Sequence, residues 1–241
     1  MTIPFIDTFN TYFDIVPAIT DELKNEVYKL RYQVYCLETG FVTIDDHPAG
    51  IESDKYDNDS IHYLIKHRKS KSYAATTRLI LPPTTIFPIE EHTQFYNNDL
   101  LKNIPRDNLA EVSRFCVSKE FKRRKSETGT LTGIASDWDL SISEEERRTF
   151  PHITIALISC LLKISDENSI YYWYAVMEPA LIRFLSSLGI YFVSIGPLAD
   201  YHGKRQPCMI KVSDLLDGVA KKNPSIWEMI TNKGQIGQNI K

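Results

Sequence analysis

The stretch FPHITIALISCLLKISDENSIYYWYAVME, residues 150–178, decides the fold. Its first part, residues 150–167, is apolar and has the length of a helix that covers a sheet. Its second part, residues 169–178, is rich in aromatic and β-branched residues, which favour a strand. The strand-like segment LAEVSRFCVS, residues 109–118, precedes this pair. A strand, a helix and a second strand in this order require the two strands to run parallel.

The remaining segments extend this pattern in both directions. Residues 20–38 predict a helix, because apolar side chains recur at helical spacing from Leu23 and Thr20 can cap the start. Pro179 and Gly189 bound a second helix. The remaining predicted strands are residues 60–67, 73–81, 190–196 and 206–213. This order predicts an α/β (α+β) fold, in which a mixed sheet has helices on both faces.

No composition shift marks a domain boundary. We therefore expect a single domain over residues 1–217, with residues 126–150 as an inserted charged loop and 218–241 as a polar, partly helical tail.

Composition excludes several function classes. The chain has 241 residues, 43% of them hydrophobic, and a net charge of −3, so it lacks the basic character of a nucleic-acid-binding protein. Its four cysteines form no C-x-x-C pair, which favours reduced, buried thiols in a cytoplasmic protein. We read no signal peptide and no membrane-spanning run, and we expect at most peripheral membrane contact through a lipid product.

The segment IESDKYDNDS, residues 51–60, concentrates acidic residues next to a predicted strand. It lacks the glycine and the distal glutamate of a calcium loop, so no metal site is expected there. Arginines and a further glutamate interrupt otherwise apolar strands, where unpaired charges are costly. These charges either satisfy one another around a polar pocket or form ordinary edge salt bridges. They are Glu52, Asp54, Asp57 and Glu111 on the acidic side, and Arg78 and Arg114 on the basic side.

Four motifs in order carry a resemblance to a known family. LRYQVYCLETGF (30–41), ESDKYD (52–57), TTRLI (76–80) and EVSRF (111–115) resemble the signature of acyl-homoserine-lactone synthases, which are GNAT-like acyltransferases. The resemblance covers roughly residues 12–215. Within this superfamily, the sequence is similar to PEP-CTERM/exosortase-associated acyltransferases and to N-acyl amino acid synthases. The resemblance implies a GNAT-like fold whose central sheet splays open in a V shape.

The resemblance also implies residue roles. Glu111 is the first candidate for the base, Glu52 and Asp54 are alternatives, and Arg114 pairs with the acids. The acceptor pocket would be lined by Arg31, Tyr35, Phe41, Asp57 and Arg78. The family pattern usually has tryptophan where this chain has Phe41, so the S-adenosylmethionine acceptor of the lactone synthases is in doubt.

For the acyl donor, the resemblance implies a pantetheine arm between the strands at 109–118 and 169–178. The residues assigned to it are Ser113, Phe115, Cys116, Val117 and Tyr174. Backbone N–H groups at the end of the first strand would stabilise the oxyanion, and the N-terminus of the following helix would face the phosphate. A buried core cysteine explains Cys116 better than an acyl nucleophile does, because the sequence places no histidine beside it.

The segment FKRRKSETGTLTG, residues 121–133, does not match the coenzyme A fingerprint of GNAT proteins. It and the preceding residues do provide a basic cluster that is either a solvated surface or a docking site for an acidic acyl carrier protein. The cluster consists of Lys119, Lys122, Arg123, Arg124 and Lys125.

The main functional hypothesis is an N-acyltransferase that moves a long-chain acyl group from a thioester to the amine of a small amino acid. The co-substrate would be acyl-ACP or acyl-CoA, with no permanently bound cofactor. One alternative is a lactone-type signal synthase using S-adenosylmethionine. Another is a non-catalytic acyl-binding module on the same fold.

Overall fold

The computed structural model describes residues 5–82, 86–96, 99–121, 144–200 and 203–240. These residues form two compact units. The first unit comprises the described residues of 1–55, 61–78 and 114–160, and the second those of 56–60, 79–113 and 161–241.

The described strands are hydrogen-bonded in the order β1-β2-β3-β4-β5-β8-β6, and β7 pairs with β8. Their bounds are β1 Phe13–Pro17, β2 Ser60–His67, β3 Tyr73–Ile80, β4 Leu109–Val117, β5 Tyr172–Met177, β6 Val193–Ser194, β7 Ala199–Asp200 and β8 Lys204–Lys211. The pairing of β4 with β5 is parallel, whereas β5 pairs antiparallel with β8. The mixed sheet and its parallel pair confirm the predicted fold class.

Besides the α-helices and several short 3-10 helices, the described residues include a π-helix at Tyr32–Glu38, which directly follows α2. Their bounds are α1 Phe5–Tyr12, α2 Asp21–Arg31, α3 Pro88–His92, α4 Asp99–Lys102, α5 Glu144–Glu167, α6 Pro179–Leu188, α7 Val212–Lys222 and α8 Pro224–Ile230. In the described part of the chain, every helix is too short or too polar to cross a bilayer.

Several boundaries follow the local signals in the sequence. The hydroxyl of Thr20 accepts a hydrogen bond from the N–H of Leu23 at 3.3 Å and caps α2. Gly189 ends α6 with a φ of 101°, a left-handed conformation that glycine adopts without strain. Both caps confirm the predicted starts and stops.

Other segments differ from the sequence prediction. The N-terminal α1 and β1 were not expected, and the helix predicted over residues 20–38 changes from α to π at Tyr32. The helix predicted from residue 150 begins at Glu144, inside the segment predicted as an inserted loop. The predicted strand at 190–196 is reduced to Val193–Ser194. Helix α7 runs across the predicted start of the polar tail at residue 218.

Each unit has its own apolar core. The core of the first unit packs one face of α2 and the π-helix, including Val27, Val34 and Tyr35, against Leu64 of β2 and Cys116 of β4. The core of the second unit consists of Tyr56, Ile80, Phe87, Ile89, Leu109, Tyr174, Ile195 and Met209. All four cysteines are buried, in agreement with their apolar sequence context.

Candidate functional site

Glu52 is the centre of an ion-pair network in the first unit. Its side chain is almost completely buried, and its backbone N–H donates to the carbonyl of Tyr28. The Nε of Arg31 donates to Oε2 of Glu52 at 2.5 Å. Arg114 donates from Nη2 to Oε1 at 2.8 Å and from Nε to both oxygens at 3.1 Å. Two guanidinium groups therefore bind one buried carboxylate.

Asp54 extends this network toward solvent. Its Oδ1 accepts a hydrogen bond from Nη1 of Arg78 at 2.6 Å, and its Oδ2 accepts one from Nη2 of Arg114 at 3.1 Å. The Nη2 of Arg31 lies 3.9 Å from Oδ2. The side chains of Asp54 and Arg114 are 26% and 27% exposed, whereas Arg31 and Arg78 are buried. The network therefore has a buried side and an accessible side.

Local structure explains how these residues meet. Arg31 ends α2, Arg78 lies within β3, and the loop after Gly50 brings Glu52 and Asp54 to them. Arg114 has a φ of 49°, although it lies within β4. Such backbone is uncommon for a residue with a side chain and costs free energy, so it persists only where surrounding contacts maintain it.

The opposite charges in this network stabilise one another in their ionised forms. Burial alone would raise the pKa of Glu52, but the charges of Arg114 and Arg31 and their hydrogen bonds outweigh it and hold that pKa far below its usual range. Burial would likewise lower the pKa of Arg114, but the carboxylate of Glu52 raises it. Glu52 therefore remains ionised and is poorly suited to accept a proton.

Two tyrosine rings pack against the guanidinium groups. The Cζ of Arg31 lies 5.4 Å from the ring centre of Tyr28, and that of Arg114 lies 5.4 Å from the ring centre of Tyr35. Burial, followed by the neighbouring Cys116, raises the pKa of Tyr35 above its ordinary value despite the opposing charge of Arg114. Tyr35 is therefore a neutral phenol at physiological pH.

The π-helix presents Tyr35 to the network. Thr39 closes this helix, since its N–H and its hydroxyl both donate to the carbonyl of Val34, at 3.1 and 2.8 Å. Glu38 ties the helix to the end of β4 by accepting from the N–H of Lys119 at 2.8 Å. Wide helical turns of this kind are frequent at functional sites.

A second polar group lies in the second unit, around Glu111 of β4. Its side chain is buried, and Oε2 accepts a hydrogen bond from the N–H of Ile89 at 2.9 Å. Ile89 belongs to α3, which Pro88 begins. The side chain of Glu90 stabilises this short helix by accepting from the N–H of Phe87 at 2.8 Å. The helix start therefore orients the carboxylate of Glu111.

Further ionisable side chains surround this helix. Arg106 donates to Oε1 of Glu90 at 2.6 Å, and its guanidinium lies 4.5 Å from the ring centre of Phe87. The hydroxyl of Tyr56 donates to Oε2 of Glu91. Burial, and then the charges of Glu90 and Glu111, raise the pKa of Tyr174 to about 12, against the opposing effect of Arg106.

Comparison with known proteins identifies the architecture. Residues 30–132 match the model of the acetyltransferase (GNAT) domain. Among solved structures, TofI in a ternary complex with an inhibitor and MTA is 14% identical, with a TM-score of 0.59 over 89% of this chain and 98% of TofI. The chain has a GNAT-like fold.

Two other solved structures share this GNAT-like fold. FeeM, an N-acyl amino acid synthase from uncultured soil microbes, is 14% identical, with a TM-score of 0.58 over 87% of this chain and 95% of FeeM. BjaI, a CoA-dependent acyl-homoserine lactone synthase solved with SAM and isopentyl-CoA, is 16% identical, with a TM-score of 0.58 over 88% of each chain. No curated protein sequence matches the chain. The association with PEP-CTERM/exosortase systems stays a prediction.

Within this GNAT-like fold, the structure brings together five of the residues singled out from sequence. They are Arg31, Glu52, Asp54, Arg78 and Arg114. Phe41 packs half-buried against the core of the first unit, and Asp57 is buried in a short 3-10 helix of the second unit.

The residues assigned to the thioester lie on β4 and β5. Ser113 and Phe115 are half-buried, Cys116 and Val117 are buried, and Tyr174 is buried in the second unit. The register between the strands covers Leu109–Val112 and Tyr172–Ala175, and both strands continue beyond it. Of the proposed docking residues, Lys119 is described, whereas Lys122, Arg123, Arg124 and Lys125 lie outside the described residues.

Sequence reasoning missed the polar side chains around α3. They are Tyr56, Glu90, Glu91 and Arg106. The sequence PIEEH, residues 88–92, carried a usable signal, because a proline followed two residues later by glutamate is typical of a helix start.

Proposed function

We propose that this protein is an N-acyltransferase that transfers a long-chain acyl group from a thioester to the amine of a small amino acid. The observation that carries the proposal is the buried carboxylate of Glu111. It lies on β4 within the segment that matches the acetyltransferase (GNAT) domain, and the N–H of Ile89 orients it. A buried carboxylate that a backbone N–H orients can act as the general base for an attacking amine.

Glu111 is the proposed base. The attacking amine must lose a proton as its nitrogen bonds to the thioester carbonyl, and Glu111 receives that proton, directly or through a water molecule. Glu52 and Asp54 were alternatives, but both bind guanidinium groups. The low pKa of Glu52 makes its carboxylate a weak base.

The ion-pair network supports an acceptor that carries a carboxylate. Three guanidinium groups meet two carboxylates in it. The accessible guanidinium of Arg114 can bind an anionic group but not an ammonium group. Arg114, which is 27% exposed, is the guanidinium that can reach a ligand. An amino acid offers both the amine to be acylated and the carboxylate to be bound.

For the acyl donor, we propose either an acyl carrier protein or coenzyme A. The FeeM and BjaI structures support an acyl thioester, since one is an N-acyl amino acid synthase and the other is CoA-dependent. The carrier protein would use the basic residues that begin at Lys119, and the pantetheine arm would approach β4 and β5. Peripheral membrane contact would come through the lipid product.

A lactone-type synthase using S-adenosylmethionine is the second candidate. BjaI was solved with SAM and supports this alternative. Phe41, where the family pattern usually has tryptophan, argues against S-adenosylmethionine as the acceptor. The third candidate is a non-catalytic acyl-binding module.

The test measures thiol release from a long-chain acyl-CoA and from the matching acyl carrier protein. Each donor is supplied with a mixture of amino acids or with S-adenosylmethionine, and the acylated product is identified by mass spectrometry. We expect amino acids to accelerate thiol release. We also expect Glu111→Gln to reduce the rate about 10²- to 10⁴-fold, because glutamine keeps the hydrogen bond to Ile89 but cannot accept the proton.

Glu167→Gln is the matched control, because it makes the same change at an exposed ion pair with Lys163. It should retain the wild-type rate. Acceleration by S-adenosylmethionine alone would select the second candidate. A wild-type protein whose thiol release no amine accelerates would select the non-catalytic module.

A further inference from the structure

Tyr174 of β5 is the direct neighbour of Glu111 in the parallel ladder with β4. Paired residues of a parallel ladder project from the same face of the sheet, and adjacent strands lie about 4.8 Å apart. The phenol ring of Tyr174 and the carboxylate of Glu111 therefore lie on one face. Trp173 lies on the other face, where its indole N–H donates to the hydroxyl of Ser165 in α5.

The ring of Tyr174 is held firmly. Its centre lies 6.0 Å from that of Phe87 in an edge-on arrangement and 5.7 Å from that of Phe95. The residue is 3% exposed. Packing against two aromatic rings fixes the direction of its hydroxyl.

The hydroxyl of Tyr174 makes no hydrogen bond to any residue that the structure describes, and its oxygen is not one of the fully buried polar atoms that lack a partner. A tyrosine hydroxyl in such a position can donate a hydrogen bond to a ligand. The hydroxyl also stays protonated, since the pKa of Tyr174 is raised to about 12. A fixed neutral donor therefore lies beside the carboxylate proposed as the base.

We propose that Tyr174 is a further catalytic residue whose hydroxyl donates a hydrogen bond to the carbonyl oxygen of the acyl thioester. The inference rests on the proposed N-acyltransferase function and deepens it. Sequence reasoning assigned Tyr174 only to thioester binding and assigned the oxyanion to backbone N–H groups. The new role adds a side-chain donor at the reacting carbonyl.

The reaction then balances. The amine lone pair forms the C–N bond, and the carbonyl π electrons move to oxygen, where Tyr174 stabilises the negative charge. Glu111 takes the proton from the nitrogen. When the carbonyl re-forms, the C–S bond breaks and its electrons leave on sulfur. Glu111 returns its proton to the thiolate, so the products are an amide and a free thiol.

The experiment compares wild type with Tyr174→Phe in the full chain. Both are assayed by thiol release from a long-chain acyl-CoA with the amino acid mixture. Phenylalanine keeps the ring contacts and removes only the hydroxyl. We expect kcat to fall about 10²- to 10³-fold, as for other oxyanion donors. The KM for acyl-CoA should stay within about twofold, because the bond strengthens mainly in the transition state.

Two readouts separate catalysis from packing. The melting temperature of Tyr174→Phe should equal that of wild type, because phenylalanine keeps the ring contacts with Phe87 and Phe95. The rate ratio between wild type and variant should be constant from pH 6 to pH 9, since a group with a pKa of about 12 does not titrate there. Tyr172→Phe is the matched control, being half-buried two residues earlier on β5. It should retain the wild-type kcat.

A wild-type kcat in Tyr174→Phe would overturn the proposed role and leave the acyltransferase function intact. A loss that appears only in KM, or together with a lower melting temperature, would also overturn it, because packing would then explain the effect. If wild type itself released no thiol with any amine, the proposed function would fail and this role with it.

Discussion

In the first unit, the carboxylates of Glu52 and Asp54 bind three guanidinium groups, whereas in the second unit the carboxylate of Glu111 accepts a hydrogen bond from the neutral N–H of Ile89. Both groups lie within the GNAT-like fold, but the first also has an accessible side at Asp54 and Arg114. Opposite charges hold Glu52 in its ionised state. The N–H of Ile89 orients the carboxylate of Glu111. We therefore expect the network around Glu52 to stabilise the fold and to select a ligand by its charge. We expect Glu111 to transfer protons.

Replacing Glu52 tests whether the ion-pair network stabilises the fold, and it should give the largest effect of these tests. Glu52→Gln removes the buried carboxylate that accepts from Arg31 at 2.5 Å, and loss of one member of a buried ion pair typically costs about 3–5 kcal/mol. The free energy of unfolding at pH 7, measured in urea, should fall by that amount. Glu26→Gln provides the control, because Glu26 forms an exposed pair with Lys29. Its effect should stay within about 0.5 kcal/mol.

A loss below about 1 kcal/mol for Glu52→Gln would contradict the stabilising role. The buried pair would then behave like a surface salt bridge. In that case, the network around Glu52 would contribute to ligand binding but not to the stability of the fold.

The pH dependence of the stability of Glu52→Gln tests whether the charge of Glu52 is what stabilises the fold. The pKa of Glu52 in the folded protein lies well below its ordinary value of 4.5. A lowered folded-state pKa contributes stability that is fully present above the unfolded-state pKa and is lost as the pH falls toward the folded-state pKa. The difference in unfolding free energy between wild type and Glu52→Gln should therefore be constant from pH 7 to about pH 5. It should shrink steadily below about pH 4.5.

Urea unfolding at pH 7, 5, 4 and 3 measures this difference. Other carboxylates titrate in both proteins and largely cancel, whereas protonated Glu52 resembles the glutamine that replaces it. A difference that stays constant down to pH 3 would show that the carboxylate of Glu52 does not couple to folding.

Much of the ion-pair network could be predicted from sequence. Arg78 and Arg114 interrupt apolar strands, and a charge at such a position requires an opposite charge nearby. The acidic residues of IESDKYDNDS were the available partners, and Glu52 and Asp54 are the ones that bind Arg78 and Arg114. The pairing of these acids with these arginines followed from their charges and from the apolar strands around the arginines. Their roles in catalysis came from the family resemblance and stay predictions.

The surroundings of Glu111 could not be predicted in the same way. Its partner is a backbone N–H of α3, which lies in a segment that sequence alone indicated only as a variable connection. A backbone donor carries no residue-type signal, so its position depends on tertiary structure. The π-helix escaped prediction for a similar reason. Its apolar spacing resembles that of an α-helix, and the difference lies in the hydrogen bond from Thr39 to Val34.

The backbone of Arg114 offers the smallest test of the comparison. Its φ of 49° lies in the left-handed region, which costs about 1–2 kcal/mol for a residue with a Cβ. Arg114→Ala and Arg114→Gly both remove the hydrogen bonds to Glu52 and Asp54. Only glycine also removes the backbone strain, because it adopts a positive φ readily. We expect Arg114→Gly to be more stable than Arg114→Ala by about 1 kcal/mol, as measured by urea unfolding.

The order of these two variants identifies what maintains the unusual backbone. If glycine is the more stable, the ion pairs to Glu52 and Asp54 offset strain that the strand itself cannot relieve. If alanine is equal to or more stable than glycine, the strand relaxes to an extended backbone once the guanidinium is gone. Arg114 would then impose the left-handed conformation by binding the acids, and the network would shape β4 as well as neutralise buried charge.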